Sequence, residues 1–166
     1  MNKEQKRKVQ LQQRTLNESL TFQTMFGAKQ KFDSLTPEIE TRIKEELLVF
    51  ANLGIAKDLM TLRDVMDKVK EQLGYSAEPS KGILAGSYVA YCLGLEPSNP
   101  MVTGKEIEPK DFQVTFPLGL TICYDNEVRN EVVNWMKEHG CEFTTYMSQP
   151  MLKLENTRVI IRRVLK

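Results

Sequence analysis

With 166 residues, 41% of them apolar and 27% charged, the chain has the make-up of one globular domain and enough length to bury a core without disulfides or metal. A net charge of +1 argues against the global positive field of a dedicated nucleic-acid binder, so any basic patch has to be local. Cys92, Cys123 and Cys141 are odd in number and widely spaced, which argues against a disulfide framework or a CxxC metal site and reads as reduced thiols of a cytoplasmic protein; no apolar run suits a signal peptide or a membrane span.

Residues 2–24 predict a polar helix. Lys3, Lys6, Arg7, Lys8 and Arg14 against Glu4 make its start basic, Val9, Leu16 and Leu20 leave only a thin apolar stripe, and Gly27 breaks the pattern. Residues 1–35 are therefore expected to form a helical arm and residues 36–166 an α+β domain. Thr36 is placed to cap a second helix, with Pro37 in its first position and Glu38 in its first turn. Ile39, Ile43, Leu47 and Phe50 follow at helical spacing, and Gly54 stops the run. Leu59, Leu62, Val65, Met66, Val69 and Leu73 mark a third helix ending at Gly74, expected to lie antiparallel to the second.

A loop over 75–82 leads into a helix of small residues from Ile83 to Leu93, where Gly86 implies close approach by another backbone. After a Pro-rich, charged connection over 95–110, Phe112, Val114 and Phe116 alternate with Asp111, Gln113 and Thr115, the pattern of a half-buried strand. Leu120, Ile122 and Tyr124 predict another strand. Asp125 or Asn126 is placed to cap a helix bearing Val128, Val132, Trp135 and Met136 that ends at Gly140. Residues 141–147 read as a strand. From Met151 onward the chain fits a hairpin turning at Asn156 or a short helix carrying Arg158 and Arg162, and its β-branched residues favour the hairpin.

The chemistry-bearing residues are few. The single His, His139, falls in the last turn of a helix, where a polar ring suits the dipole, and neither GxGxxG nor GxxxxGK[ST] occurs. Lys81 and Gly82 ahead of a small-residue helix form a candidate phosphate cradle together with Gly86 and Ser87. Alternating carboxylates on one strand would hold catalytic metals, but on Asp111, Gln113 and Thr115 only the first is a carboxylate.

Read together, these segments resemble the palm of the bacterial C-family replicative DNA polymerases, the polymerase III alpha subunit. Pro79, Lys81, Gly82, Ala85, Gly86, Ser87, Val89, Ala90, Tyr91, Cys92, Leu93, Gly94 and Pro100 follow the family's glycine- and serine-rich stretch. Asp111, Phe116 and Pro117 follow its strand of alternating aspartates, and Arg129, Glu131, Val132 and Gly140 its arginine-bearing helix. Glu46, Leu47, Gly54 and the 64–70 region resemble the preceding helices, so the likeness covers roughly residues 36–140. It implies a truncated nucleotidyltransferase-like palm in which Lys81 replaces the loop arginine, Ile83 the loop serine, and Gln113 and Thr115 the metal-binding aspartates.

This predicts no catalytic residue, metal or cofactor, and a non-catalytic binding or regulatory protein whose partner is a replication protein or nucleic acid. The alternatives are a nucleotidyltransferase completed by a partner chain and a domain remnant without a role. Lys6, Arg7 and Lys8 at one end and Arg158, Arg162 and Arg163 at the other would form a nucleic-acid surface if they shared a face.

Overall fold

Side-chain caps set the helix starts in the computed structural model, which describes residues 1–106, 108, 111–112 and 117–165. Asn2 and Gln5 form a reciprocal capping box on α1 (Lys3–Lys31), with Asn2 Oδ1 accepting the Gln5 N–H at 2.8 Å. Thr36 caps α2 (Pro37–Leu53), which ends at Gly54 in the left-handed region. The third helix, α3 (Ala56–Leu73), likewise ends at a left-handed Gly74. These two boundaries agree with the sequence expectation. α2 packs mainly on α4 (Tyr88–Leu93) and α1, and α3 mainly on α1 and on the helix Arg129–Glu138, rather than on each other as an antiparallel pair.

Gly27 does not end the first helix. It lies inside α1, buried, where the helix crosses α4; a Cβ there would stand 2.1 Å from the Cys92 carbonyl oxygen. A close backbone approach of the kind expected at Gly86 is made at Gly27, and the glycine is retained inside the helix because nothing larger fits. Lys31 locks the same crossing, its Nζ donating to Tyr91 O at 2.6 Å while lying over the Tyr91 ring. Leu20, Thr24 and Ala28 are buried beside it, so the second half of α1 is part of the core.

The predicted helix over 83–93 is two pieces. Ile83–Gly86 forms a 3-10 turn, and Ser87 in extended conformation caps α4, its Oγ accepting the Ala90 N–H at 3.0 Å. A short α5 (Pro100–Thr103), capped by Asn99, interrupts the connection that follows. Asp111 and Phe112, the first residues of the expected strand, instead stand in a tight turn, with Asp111 N–H donating to Glu108 O at 2.9 Å. Phe112 is fully buried edge-on against Phe50, with ring centroids 4.8 Å apart. Gln113, Val114, Thr115, Phe116 and Lys166 lie outside the described residues.

The sheet begins with β1 (Leu118–Asp125), which runs into α6 (Arg129–Glu138); the chain returns as β2 (Phe143–Tyr146), β3 (Gln149–Lys153) and β4 (Thr157–Val164). Neither Asp125 nor Asn126 caps α6. Val128 occupies the cap position, and Asp125 Oδ1 accepts the Glu127 N–H in the turn before it. The strand order is β1-β4-β3-β2, with β4 parallel to β1 and antiparallel to β3. The α+β class holds, and the tail is the hairpin rather than the helix. The apolar faces of β1 and β4 (Leu118, Leu120, Ile122, Tyr124, Val159, Ile161) are buried in one continuous core with α3 and α6, each such side chain contributing roughly 1.5–3 kcal/mol.

A buried carboxylate fixes this sheet to the helices. Asp58 accepts from Asn156 N at 2.7 Å, from Thr157 Oγ1 at 3.1 Å and from Glu155 N at 3.2 Å, and Asn156 Nδ2 donates to Gly54 O at 2.8 Å. The β3–β4 turn is thereby clamped on the α2–α3 junction. No helix among the described residues is long and apolar enough to cross a membrane.

Two variants check the backbone arguments. Gly27→Ala is expected to lower the unfolding free energy by about 3 kcal/mol, because the methyl collides with backbone rather than with a movable side chain; a shifted urea midpoint reads it. The β2–β3 turn holds Met147 and Ser148 at φ 48° and 64°, where Asn and Gly are preferred. The double variant Met147→Asn, Ser148→Gly is expected to raise stability by ~1 kcal/mol, measured in the same way.

Candidate functional site

The predicted phosphate cradle is a real loop and helix start, but its donors are engaged from within the chain. Glu46, on α2 and 1% exposed, reaches the N-terminus of α4. Its carboxylate accepts the Ser87 hydroxyl, the Tyr88 N–H at 2.9 Å and the Val89 N–H at 3.3 Å. A second carboxylate serves the loop itself. Glu96, also 1% exposed, accepts Ser80 N–H at 3.2 Å and Ser98 N–H at 3.4 Å, while Ser80 Oγ accepts Gly82 N–H at 2.9 Å. Helix starts and loop amides attract anions, and here the anions are the protein's own. Of the predicted cradle residues, Ser87 is buried and bonded to Glu46, Gly86 is buried in the 3-10 turn, and only Lys81 projects to solvent.

The loop lies along β1. Glu78 N–H donates to Cys123 O at 2.8 Å and covers the free edge of that strand, and a Cβ on Gly82 would stand 3.0 Å from Thr121 Cβ. A strand that faces the loop and runs directly into the arginine-bearing helix is β1. Its side chains alternate: the apolar ones are buried, and the other face carries Gly119, Thr121, Cys123 and Asp125. The sequence reading named the pattern at 111–117 and not these residues, which the short spacing from 118–125 to Arg129 sets apart. Cys123 is buried and its thiol is pushed up by that burial, with Arg162 opposing. Asp111 is engaged in its own turn, where its Oδ2 accepts the Glu108 N–H at 3.1 Å.

The two basic segments are separated along β4. Residues 9–17 of α1 border a groove shared with Gly54, Lys57 and Asn156, next to the start of β4. Lys6, Arg7 and Lys8 precede that contact on an exposed helical turn. Arg158 sits at the same end of β4, bonded to Leu154 O at 2.7 Å, whereas Arg162 and Arg163 pair in register with Cys123 and Tyr124 at its other end.

Comparison with known families gives one match: the model described as the bacterial DNA polymerase III alpha NTPase domain covers residues 16–153. No curated protein matches the chain.

Burial raises the carboxyl pKa of Glu46 and of Glu96 above the ordinary value near 4.5, against the opposing effect of the hydrogen bonds they accept. A carboxyl whose pKa is higher folded than unfolded holds more proton in the folded state between the two values, so stability is lost as pH rises from about 4.5 through the folded pKa. Glu46→Gln removes one such titration. Urea unfolding across that window is expected to show stability falling more steeply with pH in the unaltered protein than in the variant; equal slopes would mean that Glu46 titrates alike in both states.

Proposed function

The chain belongs to the bacterial DNA polymerase III alpha NTPase domain family, and from that premise we propose that it is a member without polymerase chemistry of its own, serving as a binding or regulatory module in DNA replication. The observation that carries this reading is the donor set of β1. In the family's pattern, aspartates alternate along the strand that precedes the arginine-bearing helix, and we infer that Gly119, Thr121 and Cys123 are their counterparts. A glycine, a hydroxyl and a buried thiol supply no carboxylate oxygen, and Mg²⁺ is held by anionic oxygen in near-octahedral geometry. The remaining acid on that face, Asp125, already accepts the Glu127 N–H at the end of the strand. Without two ions to neutralise the developing charge, phosphoryl transfer loses its main stabilisation.

The loop supports the same reading. Several of its donors are taken by Glu46 and Glu96, which leaves fewer for a triphosphate. A fold whose polar groups are internally paired is stable without substrate, which suits a module that docks on a replication protein or on nucleic acid. One observation favours the second reading, a nucleotidyltransferase completed by another chain: among the described residues no atom lies within 4 Å of a Cβ added to Gly119, which leaves room for a partner's side chain.

Primer extension with the purified chain, Mg²⁺ or Mn²⁺ and all four deoxynucleoside triphosphates separates the two. No extension is expected, and Mn²⁺ is expected to leave the amide signals of β1 unbroadened. Extension by the chain alone would overturn the proposal; extension that appears only with a second replication protein would establish the partner-completed enzyme instead.

A further inference from the structure

Arg129 opens α6 and is 5% exposed. Its Nη1 donates to Ile161 O at 2.7 Å and to Gln149 Oε1 at 3.1 Å, and its Nε to Asn130 Oδ1 at 3.0 Å. All three acceptors are neutral, and Nη2 has no hydrogen-bond partner among the described residues. The charge that acts on this cation is a like one, Arg163, which works with burial to hold its pKa below the usual arginine value. A buried guanidinium is costly unless an anion or a full set of acceptors compensates it, and elsewhere in this chain the buried charges Glu46, Asp58 and Glu96 are each met by several donors. Arg129 differs from them in being a cation and in bordering open space.

The side chain borders a groove of about 380 Å³ between α6 and the β2–β3 hairpin, within the size range of small-ligand sites. Lys137, two turns along α6, brings a second cation, with its Nζ 5.7 Å above the Phe143 ring. Asn134 adds an amide, and Thr144, Thr145 and Ser148 add hydroxyls. No carboxylate lines the groove. The remaining Arg129 nitrogen, Nη2, a point charge from Lys and several neutral donors around one space suit an oxyanion whose oxygens accept in several directions, such as a phosphate. The groove is separate from the loop that faces β1: Gly82 meets Thr121, whereas α6 packs on the apolar side of β1 and β4.

We propose that this groove binds a phosphate group, with Arg129 and Lys137 supplying the charge and Asn134 and the hairpin hydroxyls completing its coordination. The test is an amide NMR titration of the full chain with inorganic phosphate, with chloride at matched ionic strength as the control. Saturable shifts are expected in residues 129–137 and 144–148. Lys137→Glu and Asn134→Asp both change exposed side chains, so the fold is kept, and each is expected to raise the dissociation constant about tenfold or more. Lys81→Ala is expected to leave it unchanged. A nucleoside 5′-monophosphate titrated in parallel separates the sources: tighter binding than phosphate assigns a nucleotide, equal binding a free phosphate. Absence of saturable shifts, shifts unchanged by both α6 variants, or shifts reproduced by chloride would overturn the proposal.

Discussion

The buried Glu46 carboxylate holds α2 to the start of α4, and much of the architecture depends on that contact. It supplies acceptors to Ser87, Tyr88 and Val89 at once, so the N-terminus of a six-residue helix is satisfied inside the core. With α4 placed there, the Cys92 carbonyl lies against Gly27, which brings the long first helix alongside, and the preceding loop is carried onto the edge of β1. Removal of that carboxylate would leave several buried donors without partners, each costing about 1–3 kcal/mol.

The same device recurs. Glu96 satisfies the loop, Asp58 the β3–β4 turn, and Arg129 the backbone of β4. Each links segments far apart in the chain through a charged group in the interior, where geometry has to be met closely or stability is lost. The residues that hold loop, strand and helices together are buried and paired, whereas Gly119 and Thr121 lie on the more open face of β1.

Parts of this were legible in the sequence because the controlling physics is local. Thr36 with Pro37, and Gly54 and Gly74 at the helix ends, act within a turn of their own backbone. The hairpin of the tail followed from β-branched residues around Asn156. The family likeness was legible for a related reason, since its glycines and small residues mark where backbone must come close. Local reading misjudged Gly27, which looks like a stop signal and is a contact, and it expected a strand to begin at Asp111, where Asp111 and Phe112 stand in a tight turn.

Composition, caps and periodicity thus determined the α+β class, the starts and stops of α2 and α3, and the segments that become β1 and the final hairpin. The tertiary structure alone decided that β4 pairs parallel with β1, that Glu46 and Glu96 occupy the anion positions of the loop and α4, and that Arg129 is buried beside Lys137 with no acid between them. The reason is one of range. A cap or a period acts over a few residues, whereas the pairing of buried charges joins groups 16, 42 and 98 residues apart, and sequence alone does not say which distant donor will meet which acceptor.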